Sequence, residues 1–63
     1  MKKSNLEILL KNFSQRNLAK IKMYLYNRHN VDVYGRSPRE IADALFDVIP
    51  EDEILDEITE ICA

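Results

Sequence analysis

Almost everything that staples a very small protein is scarce in this chain. One cysteine in 63 residues leaves no disulfide within the molecule, and no His/Cys set at zinc-ligand spacing stands in for one. One glycine and two prolines are too few for the many turns of a small all-β fold. There is no apolar run of membrane-spanning length. There is no secretory pattern either, because Lys2-Lys3 is followed at once by Ser4 and Asn5. A lone thiol, Cys62, suits a reducing compartment, so the expectation is a soluble, cytoplasmic, single domain over residues 1–63.

Chemistry-bearing residues are equally thin. The one histidine, His29, falls at the end of a helical segment, where an imidazolium interacts favourably with the helix dipole. Cys62 lies on an apolar helical face and reads as a small core hydrophobe rather than a nucleophile. Glu51-Asp52-Glu53 lacks the alternation and glycine of a calcium loop. A solitary Gly35 makes no phosphate cradle. The expectation is a protein that is not an enzyme, with no cofactor, no metal site, no small-molecule substrate and no membrane partner.

What the chain does have is helical periodicity with start signals. Apolar residues are 46% of the sequence, enough for a small core. The pattern predicts an all-α, compact bundle of four short helices at about 4–13, 15–29, 38–49 and 51–62, with one longer loop at 30–36. Ser4-Asn5-Leu6-Glu7 reads as a capping box, followed by Leu6, Leu9, Leu10 and Phe13 on one side and Ile8 left opposite. Ser14 is the expected cap of the second helix. Leu18, Ile21 and Leu25 form that helix's stripe, and Ala19, Met23, Tyr24 and Tyr26 widen it almost all round. Such a helix belongs in the middle of a bundle. Asn30 and Gly35 are the natural left-handed positions of the loop, with Val31 and Val33 placed to tuck beneath it.

Ser37-Pro38-Arg39-Glu40 is the strongest local signal: a serine cap, a proline at the first helical position and a glutamate three residues on. Ile41, Ala44, Leu45, Val48 and Ile49 are expected inward. Pro50 then ends one helix and opens the next. Ile54, Leu55, Ile58, Ile61 and Cys62 are the expected face of the last helix.

Charge divides the chain. Residues 1–36 hold eight of the nine Lys/Arg and two of the eleven acids, a net of +6. Residues 37–63 hold nine acids against Arg39, a net of −8. Two readings stand side by side. Either the basic second helix packs beside the acidic third and fourth with the charges paired inside one molecule, or they point outward. In the second case the faces of one copy complement those of another, and such heterologous contacts build rings or filaments.

Nucleic acid is the alternative partner for the basic N-terminal half. A helix-turn-helix beginning at Ser37 fails, because its reading helix, 51–60, has six acids and no base. A second variant resembles the helix–extended loop–helix layout of SAP-type DNA-binding modules over about 16–49, with Arg28, Arg36 and Arg39 facing a backbone. A third possibility is a small phage- or plasmid-type inhibitor that docks on a host protein.

Leu9-Leu10…Phe13-Ser14…Leu18…Ile21…Leu25, then Ser37…Glu40-Ile41-Ala42…Leu45…Ile49 and a last amphipathic helix, resembles the bacterial death-fold-like adaptor domains. These effector-associated and caspase-recruitment-like modules join like to like in phage defence. The chain is shorter than the usual six-helix form of that fold. The resemblance implies a protein-protein interaction adaptor, capable of oligomerisation, that pairs Arg16, Lys20 and Arg28 with Asp43, Asp47, Asp56 and Glu57. Tyr24 and Tyr26 are further candidate contact residues, as apolar groups the core does not need.

Overall fold

The computed structural model describes residues 1–63. Its elements are α1 (Lys3–Lys11), α2 (Gln15–His29), α3 (Pro38–Val48), a 3-10 turn at Glu51–Glu53 and α4 (Ile54–Ile61). The all-α architecture of four short helices is as the periodicity predicts, and there is no strand.

The helix ends show which local signals act. Ser14 Oγ accepts a hydrogen bond from the Asn17 N–H at 3.1 Å and starts α2. At the other end Asn30 is left-handed (φ 57°), and the Asn30 and Val31 amides reach back to the Tyr26 and Leu25 carbonyls, both at 3.1 Å. Ser37 forms the expected capping box. Its Oγ accepts from the Glu40 N–H at 3.3 Å, and its own N–H donates to Glu40 Oε1 at 3.4 Å.

At the helix ends three expectations need correction. Ser4 does not cap α1: the helix begins at Lys3 behind an extended Lys2, and no side chain caps it. α1 also stops at Lys11 instead of 13, where the Asn12 side-chain amide donates to the Ile8 carbonyl at 2.9 Å and ends the turn. Residues 51–53 form a 3-10 turn, so the last α-helix begins only at Ile54.

The core consists of eleven buried residues, and every helix contributes. They are Leu6 and Leu10, Ile21 and Leu25, Val33, Ile41, Ala42 and Leu45, Ile49, and Ile54 and Ile58. α2 is not the centre. Of its fifteen residues only Ile21 and Leu25 are buried, and the most extensive helix contact is α1 on α3. Ala42, not Ala44, is fully buried on α3, and a methyl side chain there lets a neighbouring helix come close. Leu55, expected inward, is 50% exposed. Ile8 is exposed as expected, and Val33 is buried beneath the loop. The radius of gyration, 10.2 Å, is close to the ~10.6 Å of a compact chain of this length, so no helix stands off the body.

Candidate functional site

The outer side of α2 carries two adjoining grooves. The larger, about 630 Å³, runs between α2 and α4 and is lined by Lys20, Met23, Tyr24, Asn27 and Arg28 facing Glu57, Glu60 and Ile61. Positions 20, 24 and 28 recur every fourth residue, so one stripe of α2 forms its wall. Tyr24 is the joint between the helices. Its hydroxyl donates to Glu57 Oε2 at 3.3 Å and lies 3.3 Å from His29 Nε2, with the two rings edge-on at 5.3 Å. A phenol has one proton. With that proton directed to the Glu57 carboxylate, the Tyr24 oxygen is left as an acceptor, and His29 must donate its Nε2 hydrogen to it.

Burial pushes the Tyr24 phenol above its ordinary value of 10.0, and the Glu57 carboxylate adds to the effect. The protonated phenol is therefore favoured in the folded state. Its contribution to stability is whole below the unfolded value and is lost as pH rises through the folded one. Thermal melts of the wild type should fall more steeply with pH above about 10 than those of Tyr24→Phe. Parallel alkaline slopes for the two proteins would contradict this.

The second groove, about 380 Å³, lies between α2 and the 30–36 loop. Met23, Tyr26 and Tyr34 line it and are 64%, 57% and 88% exposed. The loop is held in shape from within. Asp32 Oδ1 accepts from the Tyr34 N–H at 2.9 Å, the Arg36 N–H donates to the Val33 carbonyl at 3.0 Å, and Gly35 takes φ 73°. The sequence pattern marks Tyr26 as surplus to the core but does not separate Met23 from the apolar arc of α2 or give Tyr34 a role, although a core this small signals that some of that wide arc must stay outside.

The charged candidates fall in different places. Lys20, Arg28 and Glu57 share the α2–α4 groove, and no ion pair joins them. Arg16 is exposed one turn before Lys20. Asp43 is held by Lys3 at 3.1 Å, and Asp47 and Asp56 are exposed. The two halves of the charge split do meet within the molecule, but at Lys3–Asp43, at the Met1 ammonium with Glu51, both 3.1 Å, and at Arg36–Glu40, 3.2 Å, not along α2. The nucleic-acid candidates do not share a hollow. Arg28 belongs to the α2–α4 groove, Arg36 lines a third hollow and pairs with Glu40 at 3.2 Å, and Arg39 is exposed on the first turn of α3. No protein family, curated protein or solved structure matches the chain.

Proposed function

We propose that this chain is a non-enzymatic protein-protein interaction module that associates with copies of itself through unlike faces. The observation that carries this reading is the group of exposed Met23, Tyr26 and Tyr34 side chains around one groove. Large apolar groups gathered outside a small core are the usual mark of a docking surface. Lys20 and Arg28 line the α2 wall of the adjoining groove without salt-bridge partners, opposite Glu57 and Glu60 on α4, so the α2 side of the surface carries free cations. The matching chemistry is on the same chain. Leu55 is exposed on α4 between Asp52 and Asp56, an apolar anchor with acids beside it. One face is apolar with cations, the other apolar with anions, and the contact between copies is head-to-tail.

An adaptor in cytoplasmic phage defence, as the resemblance to death-fold-like domains implies, is the setting proposed for such a module. Nucleic acid is the less supported partner, because Arg28 and Arg36 line separate hollows and Arg36 is already engaged.

Sedimentation velocity over a concentration series is the test. The expected result is oligomers at low salt that dissociate as ionic strength rises, since salt screens exposed charge. A monomer at every concentration in low salt overturns self-association. The same surface would then be assigned to a foreign protein, as a small inhibitor would use it, and a host pull-down would follow.

A further inference from the structure

The third hollow differs from the other two in sign. It opens where the end of α1, the first half of α2, the loop and the start of α3 come together, and it measures about 370 Å³. Three cations line it, Lys11, Lys22 and Arg36, and no acid does. Each of the other grooves contains a carboxylate: Glu57 and Glu60 in one, Asp32 in the other. The floor is apolar, formed by Phe13, Leu18 and Ile41 among others.

We propose that this hollow binds a small organic anion, a phosphate monoester or carboxylate that carries an apolar group such as a ring. The inference does not rest on self-association, although Lys22 lies on the wall between this hollow and the Met23–Tyr26–Tyr34 groove. Lys22 is half-buried and has no salt-bridge partner, so its charge is available to a ligand. Lys11 and Arg36 are paired with Glu7 and Glu40 at 3.1 and 3.2 Å, each four residues away along the chain. Exposed pairs of that spacing are weak and yield readily to a stronger acceptor. Arg36 uses one N–H on Glu40, which leaves most of its five donors for a phosphoryl or carboxylate oxygen. The apolar floor has no use for an inorganic ion, and a ring laid on it would lose water from both surfaces. The volume falls in the range of small-ligand sites, roughly 300–1,000 Å³.

The test is a titration of the isotope-labelled protein with phenyl phosphate, inorganic phosphate and phenol, followed by amide NMR shifts. Phenyl phosphate should saturate shifts centred on Lys11, Phe13, Lys22, Gly35 and Arg36. It should bind about tenfold more tightly than inorganic phosphate, as burial of a small apolar group implies. Lys22→Gln should weaken phenyl phosphate by about tenfold, the loss expected for one charge-assisted hydrogen bond. Arg36→Gln should weaken it likewise, and serves if the first variant does not fold. Lys20→Gln, outside the hollow, should leave binding unchanged. Three results overturn the proposal: shifts spread evenly to Lys20 and Arg28, phenyl phosphate binding no better than inorganic phosphate, or loss of neither Lys22 nor Arg36 mattering.

Discussion

Leu45→Ala should strip this domain of a large share of its stability. The side chain is fully buried on α3, in a core of only eleven residues. Truncating a buried leucine to alanine costs about 2–5 kcal/mol, through lost transfer energy and the cavity left behind. A domain of this size has about 3–9 kcal/mol of total stability. The lone Cys62 leaves no disulfide to absorb such a loss. Leu55→Ala is the matched control, since Leu55 is also helical but half-exposed. Leucine and alanine are both good helix formers, so a difference between the variants reports burial. Leu55→Ala should change stability by less than about 0.5 kcal/mol. Urea titration followed by circular dichroism measures both, and similar midpoints for the two variants would refute this account of the core.

The same four-residue pattern, serine followed three residues later by glutamate, occurs at Ser4 and at Ser37, and only the second makes a capping box. The difference is in what surrounds it. Pro38 bars Ser37 from helical dihedrals, and the φ 73° turn at Gly35 precedes it. The helix cannot grow backwards, so the serine must be the cap. Nothing comparable stands before Ser4. The Asn5 and Leu6 amides bond the Lys2 carbonyl, the helix takes in Lys3 and Ser4, and the Lys3 ammonium goes to Asp43 and over the Phe46 ring. These contacts, some forty residues away along the chain, accompany the earlier start of α1. A pattern read locally has no access to them.

The interior face of α2 was legible only in part for a related reason. Its apolar arc is wide, and periodicity alone ranks Leu18, Met23, Tyr24 and Tyr26 much alike. In the fold Tyr24 is drawn inward to a carboxylate 33 residues away, while Met23 and Tyr26 remain outside. The contact of Tyr24 with His29 depends on the end of the helix, since residues five apart do not share a face in regular α structure. The sequence showed that α2 has more apolar surface than a 63-residue core can use. Which side chains stay outside depends on where α4 and the loop pack.

That surplus leads to the largest expected functional effect. Tyr26→Glu should abolish self-association while leaving the monomer folded. The side chain is 57% exposed, so the core does not depend on it. The change removes an aromatic anchor and sets a carboxylate against Asp52 and Asp56 of the neighbouring copy. A tyrosine hot spot is worth about 2 kcal/mol or more, which is about thirtyfold in dissociation constant. Ile8→Glu, on another helix and 59% exposed, introduces the same charge and should have no effect. Equal loss from Ile8→Glu would show that net charge, and not this surface, governs assembly. Leu55→Glu should break the opposite face of the same contact. A head-to-tail contact makes one further demand. Each of these two variants keeps the face that the other has lost, so each alone should be monomeric, yet their mixture should form a pair held by one intact contact. Growth should stop there, because the two remaining faces are both damaged. A closed twofold contact made of one repeated patch cannot be rescued this way, so a mixture that stays monomeric rules out the head-to-tail arrangement.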